Sequence, residues 1–435
     1  MLFRRKSRGI GRSSKTGQTL RQVQVPADAV RLGMRVVGLD RPWTDVPILF
    51  QQFVVETASQ LATLRRYCLS VTVEMTEDQY RLVQDDIASA KSRKLKALPE
   101  EKSLGEELVR ARESYEQARK YVDQLLLDVA NGQPFDLVQV RSVIQSCVTS
   151  IMANANAMFW LSRIRHQDAY TAEHCLRVGI LAISFGRFLD LPTEELEILG
   201  LCGMLHDIGK MRIPPEVLNK PGALTKEEMD IMKTHPQHGF DLLGSHHQLA
   251  AIVRDATLSH HERMDGQGYP NALPSASISR YARIISIVDA YDAITSDRCY
   301  KKGAPAAEAL RILYKCGGTQ FDKELVEVFI KMIGLYPPGS LVEMSSGEVA
   351  VVLSTDPNQK LRPVLELVLD NKGYPCESRV VRLEDEPLDP SGQPYRIARP
   401  LPDGIHGFTL EQHIERQTRL PLGNAPTPGT DAGRH

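Results

Sequence analysis

The clearest hydrophobic pattern in the chain is a row of apolar residues at alternating steps of four and three. This spacing predicts one long amphipathic helix with a narrow apolar seam. Ser103 and Glu106 have the spacing of a capping box at its start, and Asn131-Gly132 ends it. Two interpretations of the seam stay open: packing against the neighbouring domain, or the contact of a symmetric homodimer. The seam consists of Leu104, Leu108, Ala111, Tyr115, Ala118, Val122, Leu125 and Val129.

The regions on either side of this helix follow different patterns. Residues 22–75 alternate short apolar runs with turns, and VRLGMRVVGLD and LSVTVEM are typical of strands. Residues 136–335 carry mainly helical patterns, whereas from Pro337 onward runs such as EVAVVL and RPVLELVLD predict strands again. We therefore predict a mainly α protein: an all-helical central domain, a small α+β N-terminal domain and a short β-rich C-terminal appendage.

The length of 435 residues is typical of two or three domains with tails. Seven of the first 21 residues are Lys or Arg, which predicts a disordered basic tail or, alternatively, a weak anchor for acidic lipid or RNA. The predicted division is a basic tail (1–21), an α+β domain (22–100), a connecting helix (101–139), a helical domain (140–336), a β-rich appendage (337–420) and a disordered tail (421–435).

Composition narrows the class of protein. The net charge of −1 gives no whole-chain argument for a nucleic-acid polymer as partner. No apolar run is long enough for a transmembrane segment, and no apolar core follows the N-terminal charges as in a secretory signal. The seven cysteines are scattered without a C-x-x-C pair, which argues against a disulfide framework and favours the cytoplasm.

Candidate chemistry is concentrated in the helical region, where nine of the 12 histidines lie between His166 and His261. His206-Asp207 follows an apolar helix, and Asp289 falls inside the apolar run IISIVDAYDAI. A buried carboxylate is costly unless it is paired or bound to metal. Imidazole and carboxylate without thiolate suit iron, manganese or zinc. Two such ions about 3.5–4 Å apart can clamp a phosphate, which predicts metal-assisted phosphoester hydrolysis.

Four ordered motifs resemble the HD-GYP family over about residues 140–335: HDIGKMRIPPEVLNKPGALTKEE, KTHPQHG, HHERMDGQGYP and ARIISIVDAYDAITSDRCYK. The resemblance implies a phosphodiesterase that hydrolyses cyclic di-GMP to linear pGpG, GMP or both through a metal-bridging hydroxide. Two divalent transition metal ions, iron or manganese, are the implied cofactors. The upstream segment GMRVVGLDRPWTDVPILFQQF resembles an accessory domain of unknown function that precedes such domains.

The resemblance also implies residue roles. One ion would be held by His174, His206 and Asp289, with Asp207 bridging to the second. Lys210 would lie beside the hydroxide and the scissile phosphate, so Asp207 and Lys210 are the implied catalytic residues. The second ion would be held by His235, His260 and His261, while Arg298 and Lys301 would bind substrate phosphate and Tyr269 would shape the guanine-binding cleft.

Three positions depart from the family pattern. Tyr170 stands where some members carry a glutamate that supports a third metal, so we expect two ions. Cys175 replaces the usual serine, and Cys299 replaces the proline of SDRPYK. Neither cysteine removes a ligand, but both changes bear on packing and redox sensitivity.

The remaining polar residues of these motifs have structural interpretations. Glu262 and Asp265 are expected to hold the loop that carries Gly268-Tyr269-Pro270 (the GYP loop) or to support the metal ligands. No ligand role is expected for His166, His238, His246 and His247.

Different observations would distinguish the rival functions. An enzyme for another cyclic dinucleotide would carry a similar phosphate clamp, so a panel of substrates must distinguish it. A degenerate HD-GYP scaffold that acts through signalling proteins would bind metal without turnover, although the intact ligands count against it. A nucleic-acid-binding module rests only on the basic tail, since no RNA-reading motif is present.

Overall fold

The computed structural model describes residues 20–39, 52–68, 70–76, 79–80, 100–164, 170–244, 249–296, 303–356, 359 and 361–419. Across these ranges, the helices are all too short or too polar to cross a membrane. Their architecture is helical in the middle and strand-containing at both ends, so the predicted fold class is confirmed.

The N-terminal region forms a small α+β unit with its own core. Its elements are β1 (Leu20–Pro26), β2 (Arg35–Leu39), β3 (Phe53–Val54), α1 (Ala58–Tyr67) and β4 (Ser70–Thr76). The sheet is antiparallel in the order β1-β4-β2-β3. Alternate strand residues face inward, and the buried cluster includes Val25, Val36, Leu64, Val71 and Val73.

The heptad pattern forms α2 (Leu104–Ala130), and Ser103 and Glu106 make the predicted capping box. Its seam is buried from Leu108 onward, with Leu104 partly buried, and it belongs to the same hydrophobic core as α3 (Leu137–Ala153), α4 (Ala155–Leu161) and α5 (Tyr170–Phe188). Because the seam is covered within the chain, the packing interpretation is confirmed and this face is not available to a second copy.

The central helices continue after α5 and carry the candidate site. They are α6 (Thr193–Leu205), a 3₁₀ turn (Ile208–Arg212), α7 (Pro215–Leu218), α8 (Lys226–Met232), α9 (His235–Gly244), α10 (Ala251–Ser259), α11 (Arg280–Thr295), α12 (Ala306–Cys316) and α13 (Lys323–Ile333). Helices α5 and α6 cross closely at two glycines. A Cβ on Gly203 would lie 2.7 Å from Cα of Gly179, so a larger residue does not fit there.

The C-terminal region is a five-stranded antiparallel sheet followed by a helix. Its elements are β5 (Leu341–Met344), β6 (Val349–Ser354), β7 (Val364–Leu369), β8 (Pro375–Arg382), β9 (Ile397–Leu401) and α14 (Leu410–Arg419), with sheet order β8-β7-β6-β5-β9. Val351 and Leu369 face the helical core, while Val352 and Leu365 form a separate core. Helix α14 was not predicted from the sequence, and it packs Leu410 and Ile414 into the helical core.

Two leucines of α2 test how much its buried seam stabilises the fold. Leu125 is 1% exposed and Leu127 is 56% exposed. Leu125→Ala should lower the free energy of unfolding by about 2–5 kcal/mol, because it removes buried methyl groups and leaves a cavity. Leu127→Ala on the same helix is the matched control, with an expected change under about 1 kcal/mol. Denaturant unfolding measures both, and equal effects would contradict the assigned packing.

Candidate metal centre

Seven residues predicted as metal ligands converge on one site from five elements. His174 lies within α5, and Asp289 lies within α11. The other ligands lie at helix ends: His206 and His260 cap the C-termini of α6 and α10, while His235 begins α9. Asp207 and His261 directly follow His206 and His260. The fold thus brings together all seven residues.

Close backbone contact at Gly209 brings two of these elements together. A Cβ at Gly209 would lie 2.0 Å from the carbonyl oxygen of His235 and 2.4 Å from the amide nitrogen of Gly239. Only glycine allows the 3₁₀ turn to touch α9 in this way. The contact holds Asp207 next to His235, with Oδ1 3.2 Å from Nε2.

The two oxygens of Asp207 face two different groups of imidazoles. Its Oδ2 lies 3.4 Å from Nε2 of His174 and 3.2 Å from Nε2 of His206. Its Oδ1 lies 3.2 Å from Nε2 of His235 and 3.8 Å from Nε2 of His260. Asp289 joins the first group, with Oδ1 3.1 Å from Nε2 of His174. Asp207 therefore stands where a bridging carboxylate would stand between two cations.

The outer nitrogens of four of these histidines are all hydrogen-bonded. Since a carbonyl oxygen only accepts, the Nδ1 facing it must carry the proton, and Nε2 is left with a lone pair directed at the centre. The Nδ1 partners are the carbonyl oxygens of Gly203 for His206 (2.7 Å), Met232 for His235 (2.8 Å) and Thr257 for His260 (2.7 Å), and Oδ2 of Asp292 for His174 (2.7 Å).

Two buried atoms at the centre have no hydrogen-bond partner among the described residues: Nε2 of His206 and Oδ1 of Asp207. Their residues are 0% and 1% exposed. Leaving a buried polar atom unpaired costs about 1–3 kcal/mol, so buried acceptors of this kind suit the binding of a cation. Ligand atoms of His174, His206 and Asp207, and separately of Asp207, His235, His260 and His261, all lie within 4.8 Å of one another. This donor set fits two divalent transition metal ions.

Charges at the centre favour an ionised carboxylate. Burial by itself raises the pKa of Asp207, but electrostatic interactions with His206 and Lys210 hold that pKa well below its usual range. Nζ of Lys210 donates a hydrogen bond to Oδ2 of Asp207. Burial lowers the pKa of His261 to about 3, which keeps this imidazole neutral and able to bind a metal.

The pKa of His174 moves in the opposite direction. Burial lowers it, but hydrogen bonds to Asp207, Asp289 and Asp292 outweigh burial and raise the pKa well above its usual value. Asp207 and Asp289, which face Nε2 of His174, therefore favour positive charge at that atom. A cation bound there would take the place of the proton.

The GYP loop lies against the second group of histidines. The ring of Tyr269 stacks on His261 with 4.7 Å between centroids. Glu262 accepts hydrogen bonds from the amides of Asn271 (2.7 Å) and Leu273 (2.9 Å), which confirms its predicted role in holding the loop. Asp265 pairs with Arg263 at 2.6 Å.

Several residues of the predicted motifs lie outside the described residues. They are Arg298, Lys301, Cys299, His166 and the His246-His247 pair, together with the side chain of Tyr170. His238 lies in α9 one turn from His235, but it belongs to none of the described candidate ligand groups. Cys175 is buried, and burial raises the pKa of its thiol to about 12, which disfavours the thiolate form.

Asp292 and Arg177 are buried beside the site and were not predicted from the sequence. Asp292 contacts His174, and Arg177 donates two hydrogen bonds to Asp292. The available signal was the spacing of Asp292 three residues after Asp289, which places both carboxylates on one face of a helix.

Comparison with known proteins gives two family matches and several relatives. Residues 155–325 match the HD domain, and residues 22–140 match a domain of unknown function (DUF3391). Over 367 residues the chain is 35% identical to cyclic di-GMP phosphodiesterase PA4108 of Pseudomonas aeruginosa, with 83% of this chain and 88% of the relative covered.

Two further relatives match the central region. The cyclic di-GMP phosphodiesterase response regulator RpfG of Xanthomonas campestris is 38% identical over 169 residues, which cover 39% of this chain and 45% of the relative. The 3'3'-cGAMP-specific phosphodiesterase 2 of Vibrio cholerae is 29% identical over 222 residues, which cover 50% of this chain and 41% of the relative.

Proposed function

Because the chain belongs to the HD-GYP family of cyclic di-GMP phosphodiesterases and carries a DUF3391 domain, we propose that it hydrolyses cyclic di-GMP at the centre around Asp207. The observation that carries this proposal is the buried carboxylate of Asp207, whose two oxygens face separate groups of imidazole Nε2 atoms. The products are linear pGpG, GMP or both.

Two divalent ions, iron or manganese, are the proposed cofactors. His174, His206 and Asp289 would hold one ion, and Asp207 would contact both. When bound, such a pair supplies Lewis-acid stabilisation of phosphate charge and a water of lowered pKa. The second ion would be held by His235, His260 and His261.

Lys210 is the proposed catalytic cation of the chain itself. Its Nζ contacts Asp207, and the side chain is 24% exposed, so the ammonium borders both the buried centre and the solvent-facing side. From there it would donate to a phosphate oxygen as negative charge develops in the transition state. Tyr269 supports the substrate side, because its ring lies against His261 at the partly exposed GYP loop.

A second candidate substrate is a hybrid cyclic dinucleotide. The relative from Vibrio cholerae named as 3'3'-cGAMP-specific supports it, since that protein matches half of this chain. The longer match to PA4108 favours cyclic di-GMP. A panel of cyclic di-GMP, 3'3'-cGAMP and cyclic di-AMP at equal concentration separates these substrates by kcat/KM.

The cellular compartment and the protein partners are also part of the proposal. We propose that the enzyme acts in the bacterial cytoplasm, where scattered cysteines stay reduced. Signalling proteins are the proposed partners that would read or control its activity.

Replacing Asp207 tests the two-metal centre. Asp207→Ala should remove the shared ligand, so the content of transition metal should fall and turnover of cyclic di-GMP should be abolished. Metal analysis of anaerobically purified protein and chromatography of the nucleotides measure both. Asp241→Ala is the matched control, because Asp241 is an exposed carboxylate of α9 bonded to Gln237. Full activity of Asp207→Ala, or active enzyme without transition metal, would contradict the mechanism.

The proposed phosphate clamp makes a separate prediction. Arg298→Ala and Lys301→Ala should each raise KM about tenfold or more while metal content stays unchanged, since a charged hydrogen bond contributes about 1.5–3 kcal/mol. Lys302→Ala is the neighbouring control and should leave KM within about twofold. Loss of metal with retained substrate affinity would show that these roles are wrong.

A further inference from the structure

His174 differs from three of the other candidate ligands in how its outer nitrogen is held. Nδ1 of His206, His235 and His260 each contacts the backbone carbonyl three residues earlier. The accepting carbonyls lie in the last turns of α6, α8 and α10, where carbonyl groups lack helical partners. His174 lies within α5, where nearby carbonyls are engaged in the helix, and its Nδ1 contacts the side chain of Asp292 at 2.7 Å instead.

Asp292 is itself fixed in place by buried neighbours. Arg177 donates from Nε to Oδ1 of Asp292 (2.7 Å) and from Nη2 to Oδ2 (3.0 Å), which is a two-point contact. The hydroxyl of Ser296 donates to Oδ2 at 3.2 Å. Asp292 is 3% exposed and Arg177 is 7% exposed, so water competes little for these bonds.

The same contacts join the two helices that hold the first group of candidate ligands. Glu173 of α5 accepts from Nη1 of Arg177 at 3.3 Å, so Arg177 is shared between carboxylates of both helices. Asp289 and Asp292 are three residues apart on α11. Nδ1 of His174 is therefore held by Asp292, while its Nε2 lies 3.1 Å from Oδ1 of Asp289.

We propose that Asp292, oriented by Arg177, is a positioning residue that fixes the tautomer and ring direction of His174. It thereby sets the affinity of the ion shared by His174, His206 and Asp289. This inference rests on the two-metal function proposed above. The ion assigned to His235, His260 and His261 does not depend on Asp292, because the Nδ1 contacts of His235 and His260 are to backbone carbonyls.

Titration of metal-free protein with Mn²⁺ tests the proposal, with bound and free ion separated by electron paramagnetic resonance. The parent should bind two ions. Asp292→Asn keeps the shape of the side chain but removes its charge, so one ion should bind about ten- to a hundredfold more weakly while the other is unchanged. Unchanged binding of both ions, or equal weakening of both, would overturn the inference.

A matched control exists at the start of α13, whose N-cap residue is Asp322. Asp322 also pairs with an arginine of α11, with Oδ2 3.0 Å from Nη1 of Arg283, and its other oxygen accepts from the first amides of α13. Asp322→Asn should leave the affinity for both ions unchanged. Selective loss of one ion in this variant would overturn the specific role of Asp292.

A double variant with His174→Ala distinguishes a positioning role of Asp292 from a general stabilising role. If Asp292 acts through His174, Asp292→Asn should cause no further weakening once His174 is replaced. Additive weakening would overturn the proposal. Should Asp292→Asn fail to fold, Arg177→Lys keeps the charge but loses the two-point contact, and selective weakening of the same ion is then expected, with unchanged affinity overturning it.

The parent protein distinguishes this inference from the proposed function. A parent that binds fewer than two ions or does not hydrolyse cyclic di-GMP contradicts the proposed function itself. A parent that does both, combined with unaltered Mn²⁺ binding by the Asp292 variant, contradicts only the positioning role.

Discussion

The arrangement of the catalytic region depends on the burial of one carboxylate, Asp207. An ionised carboxylate in a protein interior is strongly destabilising unless it is paired or bound to metal. Here imidazole nitrogens surround both of its oxygens, and Lys210 donates to one of them. The surrounding fold can therefore be understood as the set of contacts that brings these groups to Asp207 and holds them there.

Rigid backbone contacts supply that positioning. Gly209 lets the 3₁₀ turn touch α9, and the Gly203–Gly179 crossing brings α5 close to α6. The seam of α2 is buried in the same core as these helices. Residues in the DUF3391 match therefore support the catalytic helices directly, because that match includes α2. A site built on helices and helix ends holds its ligands more firmly than one built on loops.

Local periodicity and long motifs explain what the sequence could predict. The seam of α2 was predictable because its four-three spacing is a property of neighbouring residues. The candidate ligands were identified because their motifs are long and ordered. By contrast, α14 was missed because few of its residues are apolar: within LEQHIERQTR, only Leu410 and Ile414 are buried hydrophobics. The spacing of Asp292 from Asp289 places both residues on one face of α11, but the role of Asp292 was missed because it depends on α5, more than 100 residues away.

The most direct test of the two-metal centre is anomalous scattering at the manganese edge from crystals of the protein loaded with Mn²⁺. The account predicts two peaks that flank the carboxylate of Asp207. One should lie beside His174, His206 and Asp289, and the other beside His235, His260 and His261. A single peak, or two peaks of which neither contacts Asp207, would contradict it.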